Sequence, residues 1–155
     1  MDLQNDKYLD LTKKYLQSYR RWQAESASLG NEAKEIASIL ADVPAAIAKY
    51  GDEPGGSSSE LNTIEQSAER RMKLEERLRT IVARKRQIDG ILGRVDIALG
   101  ALNDKLRVLL ISHYMDGISW VKIAGDCYYS ERWTREQGRK ALALTADTIF
   151  GMWIT

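Results

Sequence analysis

The sequence predicts an all-α protein, a long antiparallel helical hairpin followed by a compact module of shorter helices. Three observations predict it. Ala, Leu, Lys, Arg and Glu dominate the 155 residues, while Phe occurs once and Pro twice, a balance that favours helices. Apolar side chains recur every three or four positions across two long segments. Between Leu102 and Leu142, helix caps, turns and apolar positions then alternate at short intervals. The one β-like cluster is Met152-Trp153-Ile154-Thr155.

The first helix carries Tyr8, Leu11, Tyr15, Tyr19 and Trp22, and continues the same stripe through Ser26, Leu29, Ala33, Ile36 and Leu40. That is one amphipathic face over about nine turns. Gly30-Asn31 is a point where it kinks or splits. Pro44 disrupts it, because proline lacks the amide hydrogen and restrains its predecessor. Residues 51–59, Gly51 to Ser59, contain no large hydrophobic side chain and read as a flexible linker.

Helix signals resume at Asn62 or Thr63, either of which can cap a helix running to about Leu99. Its stripe is Leu61, Ile64, Ala68, Met72, Leu78, Ile81/Val82, Ile88, Leu92, Val95 and Leu99. Gly90, Gly93 and Gly100 weaken its far end by roughly 1 kcal/mol each relative to alanine. Neither long helix can bury its stripe alone, so the two are expected to pair as a hairpin over residues 1–100. Within it, residues 69–86 hold eight basic and three acidic side chains. This stretch reads as a solvated face with Glu–Arg pairs at helical spacing, in preference to a track for DNA backbone.

Residues 101–155 form the second module. Asn103 or Asp104 caps a helix carrying Leu106, Leu109, Leu110 and Tyr114. Asp116-Gly117 supplies a turn. Ser119 caps a short helix from Trp120 to about Cys127. Tyr128-Tyr129 turns the chain, with one ring packing and the other free for a phosphate. Ser130 caps a last helix through Leu144 and on to about Phe150, with Glu131 favourably placed near its positive end. Two short helices joined by a tight turn, the second one basic, have the layout of a helix-turn-helix.

On the last helix, Trp133, Gln137, Ala141 and Leu144 are placed inward. Glu131, Arg132, Arg135, Glu136, Arg139 and Lys140 then face outward. Arginine can fork onto guanine and glutamate can accept from the cytosine amine. Thr134 and Lys140 are assigned to phosphates, and Lys122 on the preceding helix to the DNA backbone. Exposed helix faces ordinarily mix Arg, Lys and Glu, so the charges alone identify nothing; the ordered caps, turns and apolar positions carry the reading.

Those residues, Leu102-x3-Leu106-x7-Tyr114-x2-Gly117-x-Ser119-Trp120-x2-Ile123-Ala124-x5-Ser130-x10-Ala141-Leu142, resemble region 4 of bacterial sigma factors. The closer likeness is to sigma-region-4-like regulators of phages and prophages of Gram-positive bacteria, the RinA/ArpU-like late gene regulators. The resemblance is strong from Leu102 to Leu142 and loose before it. It implies transcriptional regulation of phage late or packaging genes together with host RNA polymerase. It also implies that Glu131, Arg132, Arg135 and Glu136 enter a promoter element. The family pattern has an aliphatic residue four positions after the cap, where this chain has Thr134 preceded by Trp133. It assigns no role to the apolar tail from Ile149 to Trp153.

Other classes are excluded or demoted. Net charge is +1, so nucleic-acid affinity has to come from a local patch. One histidine, His113, and one cysteine, Cys127, make neither a disulfide nor a Cys/His metal site. A structural role is expected for His113, and Trp120 and Cys127 are expected in the core. No phosphate loop, nucleophile elbow or zinc-protease motif occurs, so no enzyme, cofactor or metal is expected. Residues 1–6 lack the basic and apolar regions of a signal peptide, and no apolar run nears the roughly 20 residues of a membrane helix; a cytoplasmic protein is expected. The expected partners are double-stranded DNA, host RNA polymerase and a second copy joined through the hairpin. The near-neutral C-terminal module keeps a second reading open, a protein–protein adaptor or anti-sigma-like polymerase-binding factor. A third is a ring-forming, small-terminase-like DNA-packaging subunit.

Overall fold

The computed structural model describes residues 3–42 and 58–151. Those residues are helical or in short connections, with no strand among them. In chain order they form α1 (Leu3–Asp42), α2 (Ser58–Ala101), α3 (Asp104–Leu110), a π-helical turn (Ile111–Met115), α4 (Trp120–Cys127) and α5 (Glu131–Phe150). Pro44, residues 51–57 of the expected linker and the β-like tail from Met152 lie outside the described residues. Gly30 lies inside α1 without breaking it. The expected linker also ends sooner than the sequence suggested. Ser58 and Ser59 are helical, so α2 begins four residues before Asn62. Serine is as much a helix-start residue as a linker residue, and composition alone does not separate the two.

Two compact units divide the chain, Met1–Ala24 with Ile88–Thr155, and Glu25–Gln87. In the unit Glu25–Gln87, segments of α1 and α2 run antiparallel. Glu25 meets Arg84 and Glu32 meets Arg77, each at 3.1 Å, and Lys85 donates to Ser26 Oγ at 3.0 Å. Arg71 pairs with Glu75 along its own helix. The basic stretch thus spends Arg77 and Arg84 on the neighbouring helix. Ile36 and Ile81 are buried between the segments. Met72, expected on the inward stripe, is 67% exposed. A fixed four-residue step drifts around a helix of 3.6 residues per turn, and by residue 72 it points away from α1.

In the other unit, Leu16 from α1 and Val95 and Leu99 from α2 join Leu102, Leu106, Leu110, Ala141 and Leu142 in one buried cluster. Each such leucine or valine stabilises the fold by about 1.5–3 kcal/mol relative to exposure. Phe150 at the end of α5 packs on Tyr8 and Tyr15, with ring centroids 4.8 and 5.9 Å apart, which gives part of the apolar tail a structural role. Tyr19 donates its hydroxyl to Asp96 Oδ1. Buried threonines do not cost the fold a hydrogen bond. Thr12, Thr134 and Thr145 each donate to the carbonyl four residues back, the local bond open to a helical threonine.

The connections explain why the short helices start and stop. Asn103 Oδ1 accepts from the Leu106 amide at 2.9 Å and starts α3. Arg107 on the first turn of α3 turns back. Its guanidinium donates to the Leu99 and Leu102 carbonyls at 2.9 and 2.8 Å, the first shared with the Leu102 amide. The chain then widens into the π-helical turn, where the Asp116 amide reaches the Ile111 carbonyl at 2.9 Å. Gly117 follows at φ +71°, a conformation that favours glycine. Ser119 Oγ accepts from Lys122 N at 3.2 Å and starts α4.

Candidate nucleic-acid interface

Buried residues and one close contact hold α4 against α5. Ile123 and Ala124 of α4 are buried. The face of α5 turned inward is Thr134, Gly138, Ala141, Leu142, Thr145 and Ala146. Trp120, at the start of α4, reaches across to Gly138, where a Cβ would lie 2.8 and 2.9 Å from ring atoms Cζ2 and Cζ3 and nearer still to Cη2. His113 stacks on the same indole at 3.8 Å between centroids, and its Nδ1 lies 2.8 Å from the Ile118 carbonyl. The structural role expected of His113 is therefore this double contact. Trp120 and Cys127 are half-buried, not fully in the core.

This packing corrects the register read from the sequence. Thr134 is completely buried, with its hydroxyl donating to Ser130 O at 2.8 Å, so it reaches no phosphate. Threonine has nearly the shape of valine, and here it fills the position where the sigma-like pattern carries an aliphatic residue. Leu144, expected inward, is 44% exposed. Trp133 and Gln137 sit at the margin, half-buried. Ala141 faces inward as read, and Gly138 joins it because the Trp120 indole occupies the space a Cβ would take, which a reading by hydropathy does not register.

The outward residues stand as expected. Glu131, Arg132, Arg135, Glu136, Arg139, Lys140 and Lys122 are all exposed. Glu131, Arg132, Arg135, Glu136 and Arg139 line one depression of about 590 Å³ along α5. Lys140 is not part of it; it borders a separate hollow with Leu102, Leu106 and Leu144. Ser130 Oγ accepts from the Trp133 amide at 3.1 Å and fixes where the helix begins.

Within the depression, the acids hold the bases. Arg135 donates from Nε and Nη2 to Glu131 Oε1 at 3.0 and 2.8 Å. Arg132 reaches Glu136 at 3.3 Å. Exposed pairs at this spacing contribute about 0.3–0.5 kcal/mol, so either arginine can be released at little cost to a stronger acceptor. Arg139, Lys140 and Lys122 pair with no carboxylate among the described residues. Tyr114 lies near Arg139. Burial raises the Tyr114 pKa above its ordinary value, and the arginine charge opposes that rise.

The turn before α5 carries features that sequence reasoning left unresolved between two tyrosines. Tyr129 packs on Trp133, 4.4 Å between centroids. Lys105 Nζ lies 4.5 Å from the Tyr129 ring centre and 4.6 Å from that of Trp133, within range of cation–π attraction. Tyr128 is 96% exposed and sits at φ +61°.

Among the described residues no group of three His, Cys, Asp or Glu side chains is placed to hold a metal, and no helix is long and apolar enough to cross a membrane. No protein-family profile, curated protein or solved structure matches the chain.

Proposed function

We propose that α4 and α5 form a helix-turn-helix whose second helix reads double-stranded DNA in the major groove. The protein is then a sequence-specific, sigma-region-4-like transcriptional regulator without catalytic activity. It acts in the cytoplasm with host RNA polymerase on phage or prophage late genes. One observation carries the reading. α5 begins at a serine cap, sets Gly138 against Trp120 of α4, and leaves Arg132, Arg135, Glu136, Arg139 and Glu131 together on one solvated face. Arg135 and Arg139 are suited to guanine and Glu136 to the cytosine amine. Lys122 and Lys140, unpaired, are suited to phosphates. The antiparallel segments of α1 and α2 serve contact with a second copy or with polymerase.

A second reading is favoured by the glutamates that already engage Arg132 and Arg135. With two of its four bases (Arg132, Arg135, Arg139 and Lys140) already held by acids, the face gives less phosphate neutralisation, the main source of DNA affinity. On that reading the chain is a polymerase-binding adaptor.

The test is titration of the purified protein against fragments of its own genomic neighbourhood and against a random duplex, at two salt concentrations. A preference for one fragment that survives the higher salt supports the regulator. Equal, salt-sensitive binding to every fragment, or none, turns the weight to the adaptor, and capture of purified polymerase subunits is then the deciding measurement.

A further inference from the structure

α4 ends in a reverse turn of a kind that ordinarily uses glycine. The Tyr129 amide donates to the Ala124 carbonyl at 3.0 Å and the Tyr128 amide to Gly125 at 3.4 Å. This is the paired bonding of a Schellman motif, whose central residue takes the left-handed conformation. Tyr128 occupies that position at φ +61°, where a side chain bearing a Cβ is strained. Beyond those backbone bonds, the Tyr128 side chain makes no hydrogen bond or ring contact among the described residues. The ring is 96% exposed, and its hydroxyl has no partner among the described residues. A non-glycine residue held at an unfavourable φ with no internal return points to a role outside the fold.

The surroundings say what kind of role. Tyr128 lies two residues before the Ser130 cap of α5. Its neighbour Tyr129, with Trp133, holds Lys105 Nζ over two rings. Lys105 makes no ion pair among the described residues. Beside the start of α5, next to Arg132 and Arg135, the chain thus carries the Lys105 ammonium, held over two rings but in no ion pair among the described residues, and the exposed Tyr128 phenol. Phosphate is the ligand that takes both, since its oxygens accept from an ammonium and from a hydroxyl.

We propose that Tyr128 and Lys105 contact the phosphate backbone at the edge of the groove that α5 enters, Tyr128 through a neutral hydrogen bond and Lys105 through its charge. The inference rests on the DNA-reading function proposed above. It makes Tyr128 a contact that fixes orientation without reading sequence.

The two residues leave different signatures. In fluorescence anisotropy with labelled duplexes, Tyr128→Phe lowers affinity by about three- to tenfold, the loss of one hydrogen bond, equally on the preferred fragment and on a random duplex. It leaves the salt dependence unchanged. Lys105→Ala lowers the slope of log affinity against log salt by about one, the loss of one neutralised phosphate. Tyr128→Gly relieves the turn, so it raises the melting temperature by about 2–4 °C while weakening binding at least as much as the Phe variant. Binding by the parent chain that Tyr128→Phe and Lys105→Ala leave unchanged overturns this inference and leaves the reading function standing. Absence of duplex binding by the parent chain overturns both.

Discussion

Trp120 and Gly138 are in direct contact, with the far edge of the indole lying where a Cβ at 138 would stand. The contact fixes the angle and register at which α5 crosses α4, and with them which residues of α5 face solvent.

Gly138→Ala therefore forces the indole or the helix to move. Alanine gains about 1 kcal/mol in helix propensity, but overpacking at a closed site costs about 1–3 kcal/mol. The variant is expected to lose stability by thermal melting and to show a changed tryptophan emission. A variant that melts higher than the parent with unchanged fluorescence contradicts the contact.

Thr134→Val separates a packing role from a phosphate role. Valine keeps the shape and removes a hydroxyl whose acceptor, the Ser130 carbonyl, also takes the Thr134 amide at 3.0 Å. Stability is expected to change by less than about 1.5 kcal/mol, and DNA affinity not at all. A fall in affinity at unchanged stability means the side chain reaches the nucleic acid.

Tyr19 gives the unit formed by the chain ends a measurable dependence on pH. Burial first, and then its hydrogen bond and proximity to Asp96, push its pKa up from 10.0 to about 12. The folded state holds this proton more tightly than the unfolded state. The contribution is thus fully present below about pH 10 and is lost as the pH rises toward 12. Melting temperature measured across that window should fall more steeply for the parent than for Tyr19→Phe. Parallel curves for the two proteins rule out the linkage.

Much of the C-terminal architecture was legible because its signals are local. Ser119 and Ser130 cap their helices as read, and Asn103 is the cap of the two candidates read for α3, since a cap needs only a short polar side chain at the right step before an apolar run. Asp116-Gly117 turns the chain as read for the same reason. What failed was whatever depended on shape across space. Ala141 is buried as read, but Trp133 and Leu144 look inward by hydropathy while Thr134, Gly138 and Thr145 are also buried: the indole of Trp120 fills the space beside Gly138, and each threonine satisfies its own hydroxyl. The π-helical turn at Ile111–Met115 leaves no mark in composition. Neither does the return of Arg107 to the end of α2, which a charged residue in a first turn does not announce. Of the eight residues assigned to DNA, seven are exposed and five line one depression. Thr134 is the one the fold withdraws.

On the proposed function, the solvated face of α5 reads DNA. The most direct measurement compares the parent with Arg135→Ala/Arg139→Ala on the genomic fragment that the parent prefers and on a random duplex. Circular dichroism and melting serve as controls for the fold. The double variant is predicted to keep its helicity and melting temperature and to lose its preference, since each base contact of this kind gives about 1–3 kcal/mol of discrimination. Retention of full preference by a folded double variant would contradict the claim and take α5 out of the reading role.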